Sequence, residues 1–446
     1  MNRVCTVLLA LGIVSGCAPA PIIGEDVLPL DGALHLSDMG QAQAFGRNPD
    51  AKPPTATTAA PGADRFGGLE VALRERWVHR ELHEAEGIDV DSVLDVLRSE
   101  FSAGRSRGER RAAVRRATCR LGDGNLRLVE RGGSLHSDSG LRVRAVGPAF
   151  LVESTDGRYG DAVRPGDRVL EVDGVEVVRW AETTCVAPGS TAGQRSARLA
   201  ASLERSLAGR EDGRGRAKAV TLRKAKSGKT RTVGLAWRNE DAQTCVEGKA
   251  ITGEVGTLSV HRLDCAPETF AAQLTTAAAA AGSGHVMIDL RRTVGHDEHN
   301  AQVLARRLAP ASTVWASKRP GARGGFESIP LPEAGPPVQA EQRWLLVGPR
   351  CSGQCELAAS VIAADPLVTV VGRATAGSVA DTEAVALGKG TTVRVPVVQY
   401  ALPGTDTVLE GRGVTPAVEV TATIDVLARG HDPEVVAAAR RIAGKD

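Results

Sequence analysis

Residues 344–378 read WLLVGPRCSGQCELAASVIAADPLVTVVGRATAGS. The apolar run Trp344-Leu345-Leu346-Val347 describes a buried strand, and Gly348-Pro349 ends it because proline cannot continue a ladder. Glu356 to Ala363 then reads as a helix, followed by a second buried strand through Val368 to Val371 and a glycine turn at Gly377. The helix points its N-terminus back at the elbow, where unpaired N–H groups and the helix dipole favour negative charge. A strand–elbow–helix unit is where acyl-transfer enzymes hold a nucleophile.

Working outward, Gly256 to Val260 and Val286 to Arg291 are further strands, and Ala266 to Ala281 and Asn300 to Leu308 are helices. Buried strands alternating with helices predict an α/β core. Upstream, Val163 to Val177 reads as turn, strand, tight Asp173-Gly174 turn and strand, followed by a helix from about Gln194 to Leu207. A β ribbon over Ala219 to Leu235 is broken at Ser227-Gly228. From Arg65 to Arg120 the pattern is helical. Leu69, Leu73 and Trp77 recur at helical spacing, and Leu94, Leu97 and Phe101 follow an Asp91-Ser92 start signal. Leu121 to Leu128 then gives a turn and an alternating strand.

At 446 residues the chain has room for two or three domains, and 42% hydrophobic and 24% charged residues are ordinary for a globular protein. A net charge of +2 gives no reason to expect a nucleic-acid partner. Arg105 to Arg116, interrupted by acid and alanine, reads as a solvated helix face. The first residues set a compartment: Arg3, an apolar core from Val4 to Val14 and then Ser15-Gly16-Cys17 form a secretory leader too short to span a bilayer. Val14-Ser15-Gly16-Cys17 resembles a bacterial lipobox, which implies lipidation at Cys17, and Ala18 after it implies retention at the outer membrane of the cell envelope. Residues 18–63, rich in alanine and proline, read as a disordered tether.

Six cysteines lie beyond the leader, an even set that suggests disulfides in an exported protein. Cys245 and Cys265 flank a hairpin, and Cys351 and Cys355 are four apart at the elbow, within bridging reach if that turn is helical. By elimination Cys119 would pair with Cys185. His79 and His83 stand one turn apart, but with no HExxH arrangement and no evident third ligand they read as a solvated helix face. The run Gly295-His296-Asp297-Glu298-His299 reads likewise as a solvated helix start. No metal or cofactor is expected.

The stretch RPGDRVLEVDGVEV, Arg164 to Val177, resembles a PDZ domain, a module that binds an extended C-terminus by strand addition. Gly140-Leu141 would be its carboxylate loop, with a rigid spacer carrying no ligand as the alternative. With the helical N-terminal region, the PDZ-like unit and the α/β core in that order, the chain resembles the C-terminal processing (tail-specific) serine peptidases and their tricorn-type relatives. Ile288 to Gly295 resembles that family's oxyanion loop, Cys351 to Leu357 its nucleophile elbow with Glu356 in the acidic position, Val371 to Ser378 its second catalytic turn, and Gly411 to Val420 its closing strand. The resemblance implies a crotonase-like (ClpP-like) α/β core over 239–446, an inserted PDZ-like β domain over 131–238 and an N-terminal helical region over 64–130. It also implies protein substrates, namely unstructured peptides or exported protein C-termini. The family's serine falls on Gly353, its general-base lysine on Ser378 and the tricorn-type histidine on Asn125. Gly353 has no side chain to attack with, Ser378 cannot take a proton at neutral pH, and Asn125 has no basic nitrogen. The backbone donors expected at the oxyanion site are Gly295 and Gly353. Two readings follow: a pseudo-peptidase that binds without cutting, or an active serine endopeptidase working through a displaced Ser352/His296 pair.

Overall fold

The structure is a computed structural model that describes residues 65–104, 106–130, 137–177, 179–180, 203, 218–236, 238–239, 244–252, 254–293, 295–388 and 391–444. The leader, the tether, Cys17 and Cys185 lie outside the described residues, and so does the helix expected over 194–207 except for Leu203, which is helical and buried. No described helix is long and apolar enough to cross a membrane.

The chain first forms a helical layer: α1 (Arg65–Val71), a π turn (Ala72–Arg76), α2 (Arg80–Ala85), α3 (Val90–Ala103) and α4 (Arg107–Leu121). The start of α3 is set by Asp89, whose Oδ1 accepts from the Ser92 N–H at 2.9 Å, two residues before the expected signal. Leu69, Leu73, Trp77, Leu94 and Leu97 are buried together, as their spacing predicts. They pack on Val393 and Val395 of a distant strand rather than only on one another.

Strand β1 (Arg127–Glu130) leads into a β unit made of β2 (Ser137–Asp138), β3 (Leu141–Val146), β4 (Ala149–Thr155), β5 (Arg168–Val172), β6 (Val175–Glu176), β7 (Ala219–Arg223), β8 (Thr230–Gly234) and β9 (Arg238–Asn239). Its main sheet runs β3-β4-β5-β7-β8 with β6 on β5, and β2 pairs with β9. Leu141, Val143, Phe150, Val152, Val169, Val220 and Leu222 form its own core. The Asp-Gly turn is real: Asp173 has φ 48°, and its Oδ1 accepts from the Lys218 and Ala219 N–H groups at 2.7 and 2.9 Å. The side chain that permits the turn thus also ties β7 to it.

The rest is the α/β core: β10 (Val246–Ala250), β11 (Val255–Val260), α5 (Pro267–Ala281), β12 (His285–Asp289), α6 (Glu298–Leu308), β13 (Val314–Pro320), β14 (Glu327–Pro330), β15 (Gln342–Val347), α7 (Gln354–Ala363), β16 (Val368–Gly372), β17 (Ala380–Gly388), β18 (Thr391–Ala401), β19 (Val418–Glu419), α8 (Ile424–Ala428) and α9 (Pro433–Ile442). The central sheet has the order β10-β11-β12-β15-β16-β19, parallel throughout except for the β10–β11 hairpin. Leu345, Val347, Val286 and Ile288 face α5, α6 and α7, while Trp344, Leu346 and Met287 face α9. Both faces are covered, which is why these strands show no polar alternation. The alanines of α5 have a packing reason too. A Cβ on Gly248 would fall 1.8 Å from the Ala277 carbonyl oxygen, and one on Gly256 1.9 Å from that of Ala281. Small residues on both sides let this helix lie directly on the hairpin.

An antiparallel sheet, β1-β18-β13-β14 with β17 on β18, carries the helical layer. Disulfides join Cys245 to Cys265 across the ends of the hairpin and Cys351 to Cys355 at the start of α7. The β unit meets the core through Ala149 and Leu151 against Ala422 and Leu427, and through Arg144, which is buried and pairs with Glu434 at 2.8 Å.

Candidate active site

The elbow is set by Gly353, the N-cap of α7, with φ 59° and ψ −124°. That backbone conformation strains any residue with a Cβ, and glycine adopts it freely. A Cβ built here would lie 2.8 Å from His296 Nδ1 and 3.2 Å from its Cε1. The imidazole therefore stands in tight contact with the point from which a side chain at 353 would start. Ser352, the residue before Gly353, is buried, and His296 is buried beside the elbow.

Two buried glutamates stitch the site together across the sequence. Glu356, in the first turn of α7, accepts from Thr375 Oγ1 at 2.5 Å, the Gly377 N–H at 2.6 Å and the Ser378 N–H at 2.8 Å. It thus fixes the turn after β16 against the elbow, and the Ser378 carbonyl accepts from the Gly353 N–H at 2.9 Å. Glu410 Oε2 accepts from the Val379 N–H at 3.1 Å and from Asn125 Nδ2 at 2.9 Å. Gly353, Ser378 and Asn125 are therefore gathered in one place, from three distant segments. Ser378 Oγ is buried there without a partner.

The oxyanion expectation needs one correction. The Gly353 N–H is already spent on the Ser378 carbonyl and is not a free donor. The Gln354 N–H, at the first position of α7, and the Gly295 N–H have no acceptor among the described residues. A helix N-terminus leaves its first N–H groups unpaired, and in an elbow the residue after the nucleophile supplies the donor. Gly295 is required where it is. Its φ is 94°, and a Cβ would lie 2.6 Å from the Asp264 nitrogen.

Asp297 caps α6 by accepting from the Asn300 N–H at 2.8 Å, and His299 is exposed. The helix starts at Glu298 as expected, but Gly295 and His296 before it are buried rather than solvated. Cys351 and Cys355 are buried and bonded to each other. At Gly140, φ is 69° and the Leu141 N–H donates to Ser139 Oγ at 3.2 Å. The Asp156 carboxyl carbon sits 2.5 Å from where a Gly140 Cβ would be. An internal carboxylate thus lies against the loop expected to hold a ligand's.

The reading of His79 and His83 as a solvated face is overturned: both are buried. His83 stacks on Trp77, ring centroids 5.4 Å apart. His79 Nδ1 is 2.8 Å from Asp123 Oδ2, which also accepts from Trp77 Nε1 at 2.6 Å. Asp123 Oδ1 accepts from the Asn125 N–H at 2.7 Å, shaping the turn that carries Asn125. Burial pushes the Asp123 carboxyl up, but the neighbouring His79, His83 and Trp77 hold it far below the usual carboxylate range. Glu410, His79 and Asp123 were not foreseen as site residues, because their contacts span 285 and 44 residues and leave no local pattern.

Residues 254–420, which include the elbow, the Gly295 loop and Glu410, match the family model for peptidase family S41. The match lies within the α/β core and covers that stretch alone. Among solved structures the chain is similar to mature CPAF complexed with lactacystin, at 14% identity over 85% of this chain and 98% of that one, with a TM-score of 0.64. It is also similar to the photosystem II D1 C-terminal processing protease, at 17% identity over 86% and 97%, with a TM-score of 0.50. At these identities the likeness is one of fold. Comparison with proteins of curated function finds no match. Within the matched stretch, the elbow position expected to hold a nucleophile is glycine, Gly353.

Proposed function

We propose that this protein is a pseudo-peptidase that binds unstructured peptides or exported protein C-termini without cutting them. The observation that carries this is the elbow: the expected nucleophile position is Gly353, at the N-cap of α7 with φ 59°, and it has no side chain to attack with. Ser378 and Asn125 offer no base. The Gly295 and Gln354 N–H groups remain to hold a peptide carbonyl, which on its own supports binding and only residual chemistry. The core is crotonase-like on this reading, and the β unit is PDZ-like. Its strand β3 ends the main sheet and offers an edge to an extended chain. Lipidation at Cys17 and the tether over 18–63 would place the protein at the envelope, facing exported chains.

The test pairs two measurements on the purified protein. A fluorophosphonate probe and a casein assay are expected to show neither labelling of Ser352 nor turnover. Fluorescence anisotropy with unstructured peptides is expected to show saturable binding that deletion of 140–235 removes. Labelling at Ser352, with casein cleavage lost in Ser352→Ala, would establish the active-enzyme reading instead.

A further inference from the structure

Adjoining this site, and sharing Glu410 with it, is a cluster that the peptide-binding proposal does not use. His79 precedes α2, Asp123 sits in the turn between α4 and β1, and Glu410 sits in the segment before Gly411. Their three ligand-type atoms, one ring nitrogen and two carboxylate oxygens, all lie within 4.8 Å of one another, and all three residues are buried. His79 Nδ1 is 2.8 Å from Asp123 Oδ2 and 4.0 Å from Glu410 Oε2. The other ring nitrogen, Nε2, is buried without a partner, so the ring is oriented by Nδ1 alone.

We propose that His79, Asp123 and Glu410 form a binding site for a divalent transition metal of the zinc class. The donor set argues for that class. One imidazole with two carboxylates suits zinc and its first-row neighbours, whereas calcium and magnesium favour all-oxygen shells. The spacing agrees. Ligands about 2.0–2.1 Å from a tetrahedral ion stand roughly 3.3 Å from one another, and the two measured separations bracket that distance. Charge agrees as well. With a neutral imidazole the two carboxylates carry −2, which a dication cancels, and buried charge is tolerated when paired or bound to metal.

The surroundings have the form of an outer shell. Asp123 accepts from Trp77 Nε1 and the Asn125 N–H, and Glu410 accepts from Asn125 Nδ2 and the Val379 N–H. Such hydrogen bonds orient metal-binding carboxylates. The ion would pin the helical layer, through His79, to the S41 core, through Glu410. Three protein ligands leave one position for water, and the role proposed for the ion is to tie these segments together.

The test uses the purified protein stripped with a chelator and titrated with Zn²⁺ and Co²⁺. One equivalent is expected to bind, the thermal midpoint to rise, and the Co²⁺ form to show the absorption of a four-coordinate nitrogen–oxygen site. His79→Gln and Glu410→Gln should each weaken binding by more than roughly 100-fold, beyond what outer-shell partners carry. If either variant fails to fold, X-ray absorption on the Zn²⁺-loaded wild type decides, with one imidazole and two carboxylate oxygens at about 2.0–2.1 Å expected. Absence of stoichiometric binding would overturn the proposal. So would sulfur or all-water coordination, or undiminished affinity in folded variants. The cluster is then a hydrogen-bonded hub without an ion.

Discussion

Gly353 answers to two constraints, its left-handed backbone and the ring beside it. Alanine there would add the cost of φ 59° and a Cβ 2.8 Å from His296 Nδ1. Strained backbone of this kind costs on the order of 1–3 kcal/mol. We expect Gly353→Ala to lose about that much in denaturant unfolding, and His296→Gly in the same chain to recover the part due to the contact. If Gly353→Ala is as stable as wild type, the elbow is not held as described. At the same scale, the residue types at 353, 378 and 125 were legible, while their proximity was not, because it rests on Glu356 and Glu410. The fate of the Gly353 N–H was not legible. Its acceptor, the Ser378 carbonyl, is 25 positions away, brought there by Glu356 clasping the turn.

Among elements, the strands of the central sheet announced themselves as apolar runs, and β12 and β15 formed where Val286 to Leu290 and Trp344 to Val347 had placed them. The Asp173-Gly174 turn and the α5 and α6 helices were equally local signals. The buried histidines were not. His79 lies off the Leu69–Leu73–Trp77 stripe, and only the return of Asp123 and Glu410 buries it. The two disulfides differ in the chain they close, 20 residues for Cys245–Cys265 and 4 for Cys351–Cys355. By loop-closure entropy the longer is worth about 3 kcal/mol and the shorter about 2 kcal/mol. Paired serine substitutions, compared by urea unfolding, should reproduce that order. Greater loss from the elbow pair would mean that the bridge holds the folded elbow itself rather than limiting the unfolded chain.

For the molecule as a whole, the junction between the β unit and the core joins an apolar contact to a buried ionic network. Arg144 pairs with Glu434, and Arg291 pairs with Glu434, Asp432 and Asp289 at 3.0, 2.7 and 2.6 Å. Removing one partner of a buried pair costs about 3–5 kcal/mol. Arg144→Met should cost near the lower end, because Arg291 still faces Glu434. Calorimetry checks this. The same junction sets acid sensitivity. Burial raises the Asp289, Asp432 and Glu153 carboxyls, but Arg291 at the two aspartates and Arg292 and Arg373 at Glu153 bring all three below their ordinary values. A depressed carboxyl stabilises the fold fully above its unfolded value, about 4, and the contribution is lost as pH falls through the folded one. The thermal midpoint should hold from neutrality to about pH 5 and drop steeply below about pH 4, less so in Asp432→Asn. A midpoint unchanged down to pH 2 would contradict this.

The contact between His296 and Gly353 also acts as a one-way latch. A serine at 353 alone arrives in space the imidazole holds, and a smaller residue at 296 alone opens a hollow with nothing in it to attack. No single substitution supplies both the atom and its room. Gain of proteolysis is therefore expected only when Gly353→Ser and Ser378→Lys are joined by a reduction at 296. If the protein holds its ligands intact, as proposed, that contact sets the order in which cutting could be restored.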